Sequence, residues 1–575
     1  MANNTDLVYR ISIENPQHHY YHVEMRCRGG ENGFRMRLPA WTPGSYMIRD
    51  FASHLHMEGA WDENGQPVDW LQTMHDQWQF NTAGIFTARY RVYASEKSVR
   101  TSFLDSAMGL VSPAGVFLYP EGELNRSVAV QFELNGHFKH VYTSLDKNED
   151  GYIAADFDEL YDSPFALSNQ QSFVYDSGGC SHEVLIEGNV APAKKNQIIT
   201  DLKKITDFEI EYFGGTPNTY YLFIIDMTEP LYGGLEHLSS SVNMFDPDKI
   251  YDRDEYLKLL SLLAHEYFHH WNGKRLRPLE LGPFDYQKPN ITRDLWLVEG
   301  ITSHYDNYML LLAGYFSPDQ YLSRVMADLQ VLENSAGEEW MSLDESSVSA
   351  WTKFYKPHAD SHNTGVSYYV KGAVLVICMD IFILAETKCQ KRFMDIVREL
   401  YFRYFMNEGR GITRDEFFNT AREVTGVDLR AEFEKYLTKR IRIPVYDYLS
   451  RIGVERLQTD EVADFGFQIQ MKNGSVNVSR IFKHRPAALA DVNIGDELIA
   501  VNGQRIKDSN AEFVKSRLNP GDEAALLLSR KGRIIERKVV LGRNWKNSVL
   551  FIKNGLDPQT QMFSDFYLNK TVSGA

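Results

Sequence analysis

The sequence predicts a multidomain α+β protein, and three observations predict it. Its 575 residues exceed what one hydrophobic core can hold and imply roughly three or four domains of about 150 residues each. From Leu7 to about Val174 short runs alternate apolar and polar side chains, whereas from about 308 to 445 apolar residues recur at helical spacing. Beyond about Gly453 short alternating runs return. A period of two reads as strand and a period near 3.6 as helix. The expected order is therefore an all-β, sandwich-like N-terminal domain (1–174), a mainly helical middle (175–452) and a small β-rich module (453–545). A tail, 546–575, holds Phe551, Phe563, Phe566 and Tyr567 and is expected to pack onto the protein.

Composition narrows the class. The formal charge of −16 comes from 77 acidic and 61 basic residues with no long basic run, which argues against a nucleic-acid partner. Four cysteines, Cys27, Cys180, Cys378 and Cys389, form neither CxxC pairs nor a disulfide framework, as expected of reduced thiols in the cytoplasm. The N-terminus, MANNTDLVYRIS, shows no basic segment followed by an apolar core. The longest apolar run, Gly372–Ala385, spans about 14 residues and contains Asp380, too short and polar to cross a bilayer of roughly 30 Å. It reads as a buried helix, with no membrane span expected.

Taken in order, the strands are expected in LVYRISI, HYYHVEMRC, FRMRL, ARYRVYA, VAVQFEL and HVYTSL, punctuated by Gly, Pro, Asn and Asp. Between them lies LPAWTPGSYMIRDF (Leu38–Phe51), whose two prolines and glycine shape a loop followed by Arg49 and Asp50. It is either a corner between strands or a rim contact for a ligand. A helix begins after Pro192, and a strand at Tyr220–Ile225 leads into LYGGLEHLSS. Gly233 and Gly234 permit close backbone approach, and Glu236 there is either a solvent-facing carboxylate beside a turn or, on an edge strand facing a cleft, a holder for a cationic amine.

The stretch Ser261–Asn272, SLLAHEYFHHWN, places His265, Glu266 and His269 in the order H-E-x-x-H. Its helix is expected to begin near Asp252 or Asp254 and to stop near Asn272–Gly273. At about 3.6 residues per turn, positions i and i+4 share a face, so both imidazoles can reach one metal ion while His270 points about 100° away. A carboxylate beside a zinc-held water can take its proton and return it, which is the logic of a zinc peptidase. Glu299, on a helical segment expected from Arg293 to Asn307, is the natural third ligand and leaves a fourth position open; His304 and Asp306 are nearby alternatives. Downstream, Thr413–Glu416 has capping-box form. VSYYVKGAVL carries Tyr368, Tyr369 and Lys371, where a hydroxyl near the metal would donate to an oxyanion, although packing also explains a tyrosine in a chain with 32 of them. At the C-terminus DFGFQI, VNVSRIF, GDELIAVNG and a final hairpin make a small binding module.

With these segments in view, the chain resembles the PDZ-containing glycyl aminopeptidase family over nearly its whole length. LPAWTPGSYMIRDF is similar to that family's N-terminal signature, HEYFHHWNGKRLRP to its zinc helix and LWLVEGIT to its third-ligand helix. GDELIAVNG with DFGFQI resembles a PDZ domain of the permuted bacterial kind. The catalytic region is also similar to the wider gluzincins, the group of aminopeptidase N and leukotriene hydrolase. The resemblance implies a thermolysin-like middle domain with one zinc ion per chain on His265, His269 and Glu299, and Glu266 as general base. It places GGLEH where those relatives carry G-x-M-E-N, so Glu236 beside Gly233 and Gly234 would bind the free α-amine, and Tyr369, in a Y-x-K-G-A pattern, would stabilise the tetrahedral intermediate. Peptides with free N-termini would be the substrates, with small first residues such as Gly and Ala preferred. Two departures stand out: a proline-rich insertion between His269 and Glu299, and His237 where the relatives have asparagine.

A thermolysin-like endopeptidase and a non-catalytic peptide-binding protein are the alternative readings. For the PDZ-like module, the backbone amides around Phe465, Gly466 and Phe467 are expected to receive a peptide C-terminus, or the module packs over the cleft as a wall.

Overall fold

The computed structural model of the chain describes residues 7–30, 33–507 and 517–569. Residues 1–6, on which the expectation of no leader segment rests, and the last six residues of the tail lie outside them. Two compact units divide the chain, Met1–Ile291 with Leu400–Ile412, and Thr292–Glu399 with Thr413–Ala575.

The first unit opens with three sheets. Seven strands run in the spatial order Asp146–Asn148, Gly151–Ala154, Val128–Glu133, Val8–Ser12, Tyr20–Arg28, Ile85–Tyr93 and Leu55–Asp62, and two four-stranded sheets accompany them. Strict alternation explains the packing: in Tyr20–Arg28 the side chains of Tyr21, Val23, Met25 and Cys27 are buried while their neighbours are not. They join Tyr9, Trp78, Phe86, Phe117 and Phe165 in one core, as one-faced strands require. Val8–Ser12 pairs in parallel with Val128–Glu133 and antiparallel with Tyr20–Arg28.

A five-stranded mixed sheet follows, in the order Phe173–Ser177, Cys180–Glu187, Tyr220–Asp226, Ser240–Phe245 and Tyr232–Glu236. Cys180–Glu187 and Tyr220–Asp226 are parallel and are joined by the helix Pro192–Phe213, which starts on its proline and ends at Gly214 with φ +95°. Tyr232–Glu236 is the edge strand and runs antiparallel to Ser240–Phe245, with Glu236 opposite Ser241. The helix Arg253–Phe268 comes next, capped by the Asp252 carboxylate, which accepts from the amides of Asp254 and Glu255. It stops at Phe268, about one turn before the expected Asn272–Gly273. The chain there folds back on itself, the Lys274 amide donating to the His269 carbonyl and the Leu276 amide to the Trp271 carbonyl. The proline-rich insertion packs against the N-terminal sheets: the amide of Ala40 donates to the Tyr286 carbonyl, and the Trp41 ring stacks on Tyr286.

The second unit begins with a π-helical turn, Trp296–Gly300, that runs into the helix Ile301–Leu312. The helical element therefore starts three residues later than Arg293, because the carboxylate of Asp294 is drawn to the Trp296 indole and the Arg414 guanidinium. Capping boxes at Ser317, Ser342 and Thr413 start three further helices. The apolar run forms Val370–Glu386, and its buried Asp380 is neutralised by Arg392 at 2.6 Å.

The β-rich module holds a six-stranded sheet with Phe467–Lys472 at one edge. It is carried on a two-stranded ribbon, Val454–Asp464 paired with Gly542–Ile552. The last helix, Pro558–Leu568, returns to the helical body, where the Tyr567 carbonyl accepts from the Tyr308 hydroxyl at 2.8 Å. Among the described residues no helix is long and apolar enough to cross a membrane.

Candidate active site

Six of the residues singled out in the sequence lie together in the first unit. His265 is on the last turn of Arg253–Phe268, and His269 is the residue after it, still with helical dihedrals (φ −61°, ψ −21°). The i, i+4 relation brings the two Nε2 atoms to 3.0 Å. The His269 Nδ1–H donates to the Asn272 carbonyl at 2.8 Å, which leaves its Nε2 with a lone pair in the neutral ring. The back-folded loop that shortens the helix therefore also orients the ring. His270 points elsewhere: Tyr267 and Trp271 enclose it, and burial drives its pKa well below the ordinary histidine value.

The edge strand supplies the opposite wall. Glu236, Glu266 and His269 each offer a ligand atom within 4.8 Å of the others. Gly234 makes this approach possible, since a Cβ there would fall 1.9 Å from Oε1 of Glu266. The WTPGSY loop closes on the Glu236 carboxylate. Gly44 has φ +83°, and a Cβ on it would meet both oxygens of Glu236 at 2.8 Å, so the loop is a corner that also backs the Glu236 side chain. Glu236 itself is 6% exposed, and among the described residues no hydrogen bond or ion pair engages its carboxylate.

Two supporting residues were not singled out in the sequence. Asp162 accepts from the amide of Leu238 (2.6 Å), from His237 Nδ1 (3.2 Å) and from the Lys274 ammonium (2.5 Å). It thus ties the end of the edge strand to the loop after His269. Burial alone would raise its pKa, but Lys274 and His237 hold it at about 2. His237 is therefore a strut for this network. Arg100 donates from Nη2 to the Gly234 carbonyl at 3.4 Å. Neither carries a local signal, since both act on strands more than seventy positions away.

In the second unit, Glu299 lies within the π-turn and is 2% exposed. Gly300 and Gly372 touch backbone to backbone, and a Cβ on Gly300 would meet Cα of Gly372 at 2.7 Å. This contact draws together the turn that holds Glu299 and the helix whose N-cap is Tyr369. Tyr368 is fully buried whereas Tyr369 is partly exposed, its ring stacked on Phe354 at 5.4 Å. Lys371 is buried and pairs with Glu338 at 2.8 Å, which anchors the start of the helix. His304 is fully enclosed and stacks on Tyr308, and burial lowers its pKa to about 4. It belongs to the core.

In the β-rich module Gly466 has φ +75°, and its amide already donates to Asp464 Oδ1 at 2.8 Å. Phe465 and Phe467 are buried in the module's core, and the Phe465 carbonyl accepts from the amide of Ala487.

Family models match in chain order: the Peptidase M61 N-terminal domain over residues 8–169, M61 glycyl aminopeptidase over 258–375 and a PDZ domain over 456–528. No curated protein matches the chain. Among solved structures, an aminopeptidase N family protein from Idiomarina loihiensis is similar at 25% identity and a TM-score of 0.91, covering 98% of this chain and 100% of its own. An M1 zinc metallopeptidase from Deinococcus radiodurans is far more distant, at 12% identity, a TM-score of 0.46 and coverage of 76% and 94%. With an M61 N-terminal segment, an M61 glycyl aminopeptidase segment and a PDZ segment matched in that order, the chain is a metallo-aminopeptidase.

Proposed function

We propose that this enzyme removes the first residue of peptides with a free N-terminus, using one zinc ion held by His265, His269 and Glu299, and that it favours small first residues such as Gly and Ala. The observation that carries the exopeptidase reading is Glu236, a buried carboxylate with no protein donor or cation on it among the described residues. Burying an anion without a partner is costly, and a substrate ammonium would supply the partner. Its atoms lie within 4.8 Å of Glu266 and His269, so an amine held there leaves room for about one residue before the scissile bond.

The donor set suits zinc, since two imidazole nitrogens converge at 3.0 Å with one ring oriented by a backbone carbonyl. When bound, zinc supplies Lewis-acid polarisation of the carbonyl and a more acidic water. Glu266 takes the proton of the attacking water and returns it to the departing amine. The Tyr369 hydroxyl donates to the oxyanion that develops on the scissile carbonyl. Glu236 fixes the register by pairing with the ammonium. The preference for small residues is supported by the description of the matched family and by the Gly44 backbone pressed against the amine anchor.

The PDZ domain is proposed to receive a peptide C-terminus near Phe465, Gly466 and Phe467, the peptide adding as a strand to the edge Phe467–Lys472. Metal analysis combined with a panel of free and N-blocked aminoacyl substrates tests the main reading. About one zinc per chain with cleavage of free amines alone is expected. Equal cleavage of blocked peptides would point to an endopeptidase.

A further inference from the structure

Beside Tyr369 the second unit contains a cavity of about 840 Å³, a size that holds a peptide of a few residues. Its walls come from two parts of the unit, with Trp340, Phe354 and Val366 from the helical part and Gln468 and Arg480 from the PDZ domain. Phe354, which stacks on Tyr369, puts the cavity one side chain from the hydroxyl proposed to hold the oxyanion.

The charges in the walls are unbalanced. Lys353 and Arg480 line the cavity and are exposed, and among the described residues neither side chain makes a hydrogen bond or ion pair. The one acidic lining residue, Glu338, is already neutralised by Lys371 at 2.8 Å and Arg442 at 3.5 Å. The apolar lining with two unpartnered cations fits a short peptide ending in a carboxylate. Gln468 lies on the strand Phe467–Lys472.

We propose that this cavity binds the departing, C-terminal part of the peptide substrate and that Lys353 and Arg480 hold its carboxylate, which makes the enzyme selective for short peptides with a free C-terminus. The proposal rests on the aminopeptidase reading and on Tyr369 as the oxyanion partner. It differs from peptide capture at the Phe465–Gly466–Phe467 loop, because Lys353 is not part of the PDZ domain.

Titration calorimetry of the full chain with N-acetyl-trialanine and its C-terminal amide tests it, since the blocked amine cannot use Glu236. The free acid is expected to bind about tenfold more tightly than the amide, with the difference lost in the double variant K353A/R480A. Equal affinity for acid and amide in the wild type would overturn it. So would a preference for the acid that survives in the double variant, which would locate carboxylate recognition at the PDZ loop instead. A C-terminal amide carrying a glutamate side chain separates the two carboxylate sources: tight binding would show that a side-chain carboxylate is what the cations select and overturn the α-carboxylate assignment. Release of the aniline from an alanyl anilide with a free α-amine, followed in parallel, reports the aminopeptidase reading separately; its failure would leave the calorimetric comparison intact.

Discussion

At the scale of single residues, the chemistry is concentrated in side chains whose spacing is short and whose supports are distant. His265, Glu266 and His269 were legible because their geometry depends only on the pitch of one helix. Asp162 was not, because its partner Lys274 lies 112 positions away and nothing near Asp162 signals the contact. Replacing Glu266 by Gln keeps a side chain of the same shape but removes the proposed base. Turnover is expected to fall by roughly 10²–10⁴-fold with zinc content unchanged, read by metal analysis beside kinetics. Asp162→Asn strands the buried Lys274 ammonium and is expected to cost about 3–5 kcal/mol, measured as a lower urea midpoint.

At the scale of elements, glycines decide which backbones may touch. The edge strand approaches the motif helix because Gly234 has no side chain, so Gly234→Ala is expected to displace Glu266. A shift of about 1 Å lowers kcat roughly 10²-fold, while the circular dichroism spectrum stays unchanged. The helix Arg253–Phe268 also shows where sequence reading stops. Its start followed from the Asp252 cap, but its end is set by the back-folded loop, whose hydrogen bonds no local pattern announces. Buried histidines in each unit make stability depend on pH. Burial lowers the pKa values of His182 and His304 to about 4, against about 6.5 in an unfolded chain. Between these values the unfolded state binds more protons, so their contribution is complete above about pH 6.5 and is lost as the pH falls toward 4. Together the two histidines are expected to contribute about 2–3 kcal/mol less at pH 5.5 than at pH 7.5, partly offset by Asp328, whose carboxyl burial raises to about 7; Asp328→Asn, which lacks the offset, is expected to show the larger fall in urea midpoint between those pH values.

At the scale of the whole molecule, alternating and helical periodicities reported the order of β-rich, helical and β-rich regions, since burial of one face imposes those periods. The tail's aromatic residues announced that it packs onto the protein, but not where, which depends on Tyr308 meeting Tyr567. Ending the chain at residue 553 is therefore expected to lower the melting temperature by several degrees, because it removes Pro558–Leu568. The central claim is that a buried carboxylate on the edge strand makes a metallopeptidase into an aminopeptidase. Its most direct test is kcat/KM of Glu236→Ala on free and N-acetylated forms of one peptide. A loss of roughly 10²–10³-fold confined to the free amine is expected, and an equal loss on both forms would contradict the account.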